Sequence, residues 1–150
     1  MEYVDLMRLA LAEAELAIEH GDVPVGALVV VDGEVLASRH NERELTGDPT
    51  AHAEVLAMRE ACDRLGTWRL DNATLISTLE PCTMCAGAAL NARIERVVFG
   101  AADLKAGAVG SVYNFGVDPR LLHTFEIQHN VLGEECARSL SSFFAGLRTS

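Results

Sequence analysis

Three side chains of the types that bind transition metals fall in two short motifs of the sequence. His52 lies in His52-Ala-Glu54, and the two cysteines lie in Pro81-Cys82-Thr-Met-Cys85. Cysteines three positions apart share one face of a helix and can therefore hold the same ion. Imidazole and thiolate are ligands that zinc prefers. The two motifs together predict a zinc site formed by His52, Cys82 and Cys85.

The number of ligands indicates what such a site does. A structural zinc site closes with four protein ligands, whereas a catalytic site has three and keeps a position for water. Zinc lowers the pKa of that water from ~15.7 to about 7. Glu54, next to the water, would take its proton and return it to a leaving amine. We therefore expect Glu54 to be the catalytic general acid and base.

Each motif alone also has a simpler interpretation. A Cys-x-x-Cys pair is often a structural metal clip or a redox pair, and a single histidine is often a core residue. A non-catalytic, zinc-stapled interaction module is therefore an open alternative. A fourth protein ligand would favour that module, but the sequence supplies no obvious one. Glu54 would also have no use in a purely structural site.

Two predicted helices bring these residues together. Thr50 is a suitable N-cap for the first helix, and Pro81 suits the first turn of the second, which runs from Cys82 to Ala92. Residues two positions apart, such as His52 and Glu54, can face one site only at a helix end. A helix N-terminus also lowers thiol pKa values, so both cysteines are predicted to be thiolates. The apolar stripe of the first helix is Ala51, Val55, Met58, Cys62 and Leu65.

Strands and helices are predicted to alternate along the rest of the chain. A hairpin turns at Asp32-Gly33, residues 40–50 are predicted to be a loop, and the glycine-rich residues 101–124 are typical of a long functional loop. This order predicts an α/β layered fold with one mixed sheet, in a single domain over residues 1–150. The other predicted elements are a first helix with the stripe Val4, Met7, Leu11, Ala14 and Ile18, strands at Ala27–Val31, Val35–Arg39, Thr74–Thr78, Val97–Phe99 and Phe125–His129, and a final helix with Cys136, Leu140, Phe143 and Leu147 on one face.

Composition and charge restrict the possible functions. The chain has 150 residues, 49% of them hydrophobic and 23% charged, which fits one globular domain. A net charge of -10 argues against broad, charge-driven binding to nucleic acid or anionic membranes. Residues 1–60 hold 13 acids and 4 bases, net -9, whereas residues 61–150 hold 9 acids and 8 bases, net -1. An anion-binding groove is therefore expected in the later part of the chain.

The sequence shows no targeting segment. Its longest apolar run, near Ala27–Val31, is far below the ~20 residues of a membrane span, so we expect a cytoplasmic location and no membrane partner. In that compartment the four cysteines are thiols, metal ligands or core residues. Cys62 and Cys136 are predicted to pack in the core, Trp68 in the core or at a dimer contact, and His20, His40 and His129 at the surface or in loops.

The two motifs and their surroundings resemble a known family. His52-x-Glu54 followed by Pro81-Cys82-x-x-Cys85 is similar to the signature of the zinc-dependent cytidine/deoxycytidylate deaminase superfamily. Within it, the chain resembles the bacterial tRNA-specific adenosine deaminases almost from end to end. The matching stretches are Asp22–Gly26, Asn41, Asp48–Glu54, Leu79–Gly87, Arg96–Gly100, Asp103–Ser111, Glu134–Ala137 and Phe143–Phe144.

The resemblance implies a three-layer α/β/α cytidine-deaminase-like fold with a five-stranded mixed sheet, and a homodimer. It also implies a zinc-dependent hydrolase that converts adenosine to inosine at the wobble position of a tRNA anticodon, with the anticodon stem-loop as partner. By position, Asn41 would hold the purine or its ribose, Val25 would line the pocket, and Asp103 would contact the surroundings of the flipped nucleotide.

A deaminase of a free nucleobase or nucleoside, of the guanine, adenine or cytosine type, is the second hypothesis. It suits the acidic net charge. Members of the tRNA-acting family usually carry Asn-His-Arg after the long loop, where this chain has Leu122-His123-Thr124. The stretch Asp103–Ser111, however, is more similar to that of the tRNA-acting branch.

Overall fold

A tight turn at Asp32-Gly33 joins the first two strands of the structure, a computed structural model that describes residues 1–149. Both turn residues have positive φ, 51° and 77°, as the favoured two-residue hairpin turn requires. The flanking strands pair antiparallel, with Val31 opposite Glu34. The predicted hairpin is therefore confirmed, with each strand slightly longer than expected.

Residues 1–149 form five helices and five strands, in the order α1, β1, β2, α2, α3, β3, α4, β4, β5 and α5. The short helix α2, Arg43–Thr46, lies in the segment 40–50 that was predicted to be a loop. No helix within residues 1–149 is long and apolar enough to cross a membrane. The bounds are α1 Tyr3–Ile18, β1 Gly26–Val31, β2 Glu34–His40, α2 Arg43–Thr46, α3 Ala53–Leu65, β3 Ala73–Leu79, α4 Thr83–Ala92, β4 Arg96–Ala101, β5 Glu126–Gln128 and α5 Gly133–Thr149.

The five strands form one mixed sheet in the order β2-β1-β3-β4-β5. The pairs β2–β1 and β1–β3 are antiparallel, whereas β3–β4 and β4–β5 are parallel. The carboxyl ends of β3 and β4 therefore lie at the same edge of the sheet, and α4 starts just after the first of them. The expected α/β fold with a five-stranded mixed sheet is confirmed.

Helices cover both faces of this sheet. Alternate residues of β1 enter different cores: Ala27 and Val29 pack in the cluster that contains residues of α3 and α4. Leu28 and Val30 pack in the cluster that contains residues of α1 and α5. The sheet thus lies between two layers of helices, and the architecture is a three-layer α/β/α fold.

The buried faces of two helices differ from the predicted stripes. In α1, Val4 and Ile18 are 43% and 41% exposed. The buried residues of this helix are Leu6, Met7, Ala10, Ala14 and Ala17. In α3 the exposed fraction of Leu65 is 44%, and the buried residues are Ala53, Glu54, Leu56, Ala57, Met58 and Ala61. Alanines are three of the five buried residues of α1 and three of the six of α3, because the helices pack close to the sheet.

β4 continues through Gly100 to Ala101, beyond the end that the sequence predicted, and close packing explains why residue 100 is a glycine. A Cβ atom at Gly100 would lie 2.3 Å from the Cys136 Sγ atom of α5, so only glycine fits. Cys136 is 1% exposed, which confirms its predicted core position. Cys62 is only partly buried but packs against the core, whereas Trp68 is 58% exposed, which excludes the core position and leaves the predicted dimer contact untested.

Candidate active site

The metal-binding side chains predicted from the sequence meet where α3 and α4 begin. His52 is the N-cap residue of α3, and Cys82 is the N-cap residue of α4. The Nδ1 atom of His52 lies 3.6 Å from Sγ of Cys82 and 3.6 Å from Sγ of Cys85. All three ligand atoms lie within 4.8 Å of one another, so this group could hold one metal ion.

The spacing of the three ligand atoms suits a small tetrahedral ion. With Zn–S bonds of ~2.3 Å and a Zn–N bond of ~2.1 Å, tetrahedral geometry separates nitrogen from sulfur by about 3.6 Å. Both nitrogen–sulfur distances in the group have this value. Cys85 is fully buried, whereas His52 and Cys82 are partly exposed towards a cavity. The group therefore offers three ligands and an open side.

The two thiols differ in acidity. Hydrogen bonding with Cys85, and to a lesser extent with His52, lowers the pKa of Cys82 to about 3, although burial opposes the change. The same contact with Cys82, together with burial, raises the pKa of Cys85. Without a metal ion one of the two thiols is therefore strongly acidic and the other is not, and the pair of thiolates stays a prediction for the metal-bound site. A metal ion bound to both sulfurs would displace the remaining proton, because metals bind the thiolate form.

Glu54 lies beside this group as the second residue of α3 and is 4% exposed. Burial raises its pKa to about 7, against the opposing effects of its own backbone N–H and the charge of His52. A carboxyl group with such a pKa gains and loses a proton near neutral pH. The helix end lets Glu54 and His52 face one site despite their spacing of two residues.

The start of α3 differs from the predicted one. Thr50 does not cap the helix, because its hydroxyl and its backbone N–H both donate to Asp48 Oδ1, at 2.7 and 2.8 Å. Instead the Ala53 N–H donates to Asn41 Oδ1 at 2.8 Å. Asn41 Nδ2 in turn donates to the Val23 carbonyl oxygen at 3.0 Å. Asn41 therefore ties the start of α3 to the segment that precedes β1.

The three residues expected to contact the substrate line one cavity with His52 and Glu54. The cavity has a volume of about 180 Å³, and Val25, Asn41 and Asp103 all contribute to its wall. Val25 is 4% exposed and forms an apolar part of this wall. Oδ1 of Asp103 accepts two backbone N–H groups of its own loop, from Lys105 and Ala106, each at 3.1 Å. The remaining lining residues are Asp22, Val23, Arg43, Leu79, Glu80, Cys82 and Ala106.

Glu80 is an important residue of the site that the sequence analysis did not single out. It is 2% exposed, and its Oε1 atom accepts the Asp103 N–H at 3.1 Å and the Ser111 hydroxyl at 2.5 Å. Its Oε2 atom accepts the N–H groups of Val109 and Ser111, both at 3.0 Å. Burial acts against ionisation, but these bonds outweigh it and lower the pKa of Glu80. Glu80 thus fixes the long loop against the metal group.

A Cβ atom at Gly107 would lie 2.3 Å from the Glu80 carboxylate, so the loop needs a glycine where it passes this side chain. The only signal in the sequence is an acidic residue between a strand and Pro81, followed by a glycine-rich loop more than twenty residues later. That signal does not show which loop residues the carboxylate contacts.

Two histidines that were predicted to lie at the surface or in loops bind carboxylates near the cavity. His20 Nδ1 lies 2.7 Å from Asp22 Oδ2, and His40 Nδ1 lies 2.5 Å from Glu13 Oε2. The buried Asp22 also accepts two backbone N–H groups of α2, at 2.7 and 3.1 Å. These bonds lower the pKa of Asp22, although burial opposes them. Asp22 therefore holds α2 at the rim of the cavity.

Comparison with known proteins agrees with this geometry. A family model described as MafB19-like deaminase matches residues 1–144. The tRNA-specific adenosine deaminase of Bacillus subtilis (strain 168) is 51% identical over 142 residues, which are 95% of this chain and 88% of that protein. A solved structure from studies of A-to-I editing by tRNA:A34 deaminases at the wobble position of transfer RNA is 46% identical, with a TM-score of 0.86. That match covers 89% of this chain and 97% of the other.

A second type of deaminase is also similar, but to a smaller degree. The X-ray structure of guanine deaminase from Bacillus subtilis is 30% identical to the chain, with a TM-score of 0.66. The match covers 100% of this chain and 96% of the other. Both the sequence identity and the structural agreement are therefore lower than for the tRNA:A34 deaminase structure.

Proposed function

Because the chain belongs to the family of the tRNA-specific adenosine deaminases, we propose that it converts adenosine to inosine at the wobble position of a tRNA anticodon. One observation carries the chemistry. A group of one imidazole and two thiols shares a small cavity with a buried carboxyl group whose pKa is raised to about 7. Such a site suits hydrolytic removal of an amino group.

In this proposal His52, Cys82 and Cys85 are the ligands of a zinc ion. The nitrogen–sulfur distances of 3.6 Å and the ligand types support this assignment. When bound, zinc supplies an acidified water molecule as the nucleophile. The open side of the ligand group faces the cavity, so an adenine inserted there would have C6 close to this nucleophile.

Glu54 moves the protons of the reaction. It accepts a proton from the attacking water and donates it to ring nitrogen N1 as the new C6–O bond forms. It then carries the remaining hydroxyl proton to the amino group, the C6–N bond breaks, and ammonia leaves. The raised pKa of Glu54, caused by burial, suits a group that must be both base and acid near neutral pH.

The other cavity residues hold the nucleotide. Asn41 uses one amide hydrogen and its oxygen to bind the backbone, which fixes the side chain so that its second amide hydrogen can meet the purine or its ribose. Val25 forms an apolar contact surface for the base. Asp103 uses Oδ1 within its loop and keeps Oδ2 for the nucleotide.

The remaining parts of the proposal concern the whole protein. Residues 1–150 form a single deaminase domain, supported by two cores that lie on opposite faces of one sheet. The chain forms a homodimer, for which the partly apolar groove between α3 and α4, with Met58, Cys62 and Trp68, offers a surface. A cytoplasmic location fits a tRNA substrate and four free thiols.

The test is an assay of the zinc-loaded protein on an anticodon stem-loop with adenosine at the wobble position. Free adenosine, adenine, guanine and cytidine are assayed in parallel, with inosine and ammonia as readouts. We expect inosine in the stem-loop only, and loss of turnover by at least about 10²-fold in Glu54→Gln with zinc retained. Ammonia from a free base, with the RNA unchanged, would instead favour the nucleobase deaminase.

A further inference from the structure

The arginines of this acidic protein differ in whether they form ion pairs with carboxylates. Within residues 1–149, six arginines form ion pairs with carboxylates, which reduces their capacity to attract a polyanion. The guanidinium of Arg43, in contrast, has no carboxylate partner among the ion pairs of these residues. The paired arginines are Arg39, Arg64, Arg69, Arg96, Arg120 and Arg138.

Arg43 is also the one lysine or arginine among the described residues that line the active-site cavity. It is the first residue of α2, and Asp22 holds this helix at the rim through two backbone N–H groups. The carboxylate of the preceding residue, Glu42, accepts a hydrogen bond from Arg39 at 3.0 Å and forms no ion pair with Arg43. The Arg43 side chain is exposed at the cavity and can bind an anion from outside the protein.

The acids around the cavity are largely occupied by internal hydrogen bonds. Asp22 and Glu80 both bind backbone N–H groups, and Asp103 uses one oxygen in the same way. A nucleotide entering the cavity from an RNA strand brings phosphates on both sides of its ribose. A free base brings none. An unpaired guanidinium on a helix that is held at the rim therefore suits a phosphate rather than the base itself.

We propose that Arg43 binds a backbone phosphate next to the nucleotide that enters the cavity, and so favours a polynucleotide over a free base. This inference rests on the proposed function. It places the phosphate contact in the strongly acidic residues 1–60, whereas the sequence suggested an anion groove in the later part of the chain. Local charge at the rim, not net charge, then allows an acidic protein to bind RNA.

The test measures how salt weakens binding of the stem-loop. All proteins carry Glu54→Gln so that the RNA is not consumed, and dissociation constants are determined from about 0.05 to about 0.4 M KCl. For a single strand, each phosphate contact contributes a slope of about 0.7 in log K against log salt. Arg43→Gln is expected to reduce the slope by about 0.7 and to weaken binding about fivefold at ~0.1 M salt. Arg43→Lys keeps the charge and is expected to keep the slope.

Arg69→Gln is the matched control, because it makes the same change in net charge. Arg69 is paired with Asp71 beyond the far end of α3, about 20 Å from the start of the helix. Equal slopes for Arg43→Gln and Arg69→Gln would overturn the assignment of Arg43, while inosine formation by the wild type would leave the proposed function intact. Absence of both inosine and stem-loop binding in the wild type would overturn both.

Discussion

Replacement of Glu80 by glutamine tests how the long loop is held at the active site. The substitution preserves the size of the side chain but removes its charge and one acceptor oxygen. Glu80 accepts four hydrogen bonds from the loop, three of them from backbone N–H groups. The same loop supplies Asp103 and Ala106 to the cavity. The variant therefore disturbs both the stability of the protein and the shape of its site.

The size of the effect follows from these bonds. A glutamine oxygen at the position of Oε2 would keep the N–H groups of Val109 and Ser111. Its NH₂ group would then face the Asp103 N–H, which would lose its acceptor. An unsatisfied buried donor costs about 1–3 kcal/mol, and charge-assisted bonds are roughly twice as strong as neutral ones. We expect the free energy of unfolding to fall by about 2–4 kcal/mol at neutral pH.

The effect should depend on pH. Burial acts to raise the pKa of Glu80, but its hydrogen bonds bring it below the ordinary value of 4.5. A carboxyl group with a lower pKa in the folded state stabilises the fold fully above the unfolded pKa, and this contribution declines as pH falls through the folded pKa. The difference between wild type and Glu80→Gln should therefore be largest at neutral pH and shrink below pH 4.5.

Urea unfolding at several pH values measures this difference, and hydrogen exchange shows where it arises. We expect the amides of Asp103, Val109 and Ser111 to lose protection in the variant. Glu126→Gln is the control, because Glu126 is 64% exposed and forms a surface ion pair with Arg96, worth at most about 1 kcal/mol. Equal losses in the two variants, or a Glu80→Gln loss that is independent of pH, would refute the reasoning.

Three further predictions concern the site and its supports. Gly107→Ala should lower the free energy of unfolding by about 1–3 kcal/mol in urea titrations, because its Cβ would lie 2.3 Å from the Glu80 carboxylate; an unchanged midpoint would show that the carboxylate can move. Asn41→Ala should lower the free energy of unfolding by about 1–2 kcal/mol, because the Ala53 N–H loses its acceptor. Asn41→Asp keeps an acceptor and should lower the free energy of unfolding by less. Removal of zinc with a chelator should lower Tm. Addition of zinc at about 100 times its Kd should then raise the free energy of unfolding by about 2.7 kcal/mol. Cys82→Ala should show no such response to zinc.

The metal group could be predicted from the sequence because its geometry is mostly local. Cys82 and Cys85 are one helical turn apart. His52 and Glu54, two positions apart, can face one site because they lie at a helix end. The order of strands and helices also predicted the layered fold. These features depend on spacing along the chain, which the sequence displays directly.

The supports of the site could not be predicted, because their partners are remote in sequence. Glu80 contacts loop residues 23 to 31 positions away, and Asp22 contacts α2 22 and 23 positions away. The helix faces were misjudged for a different reason. Large apolar residues such as Ile18 dominated the predicted stripe, but α1 packs so closely on β1 that a Cβ at Gly26 would lie 2.0 Å from the Ala10 carbonyl oxygen.

The close contact between Gly100 and Cys136 has a chemical consequence. Burial raises the pKa of the Cys136 thiol to about 11, and only the thiolate reacts with alkylating or oxidising reagents. At neutral pH roughly one molecule in ten thousand carries this thiolate, and β4 shields it. Alkylation of Cys136 therefore requires that α5 first separate from the sheet. The rate of labelling at this single atom measures how often the contact between the last helix and the sheet opens.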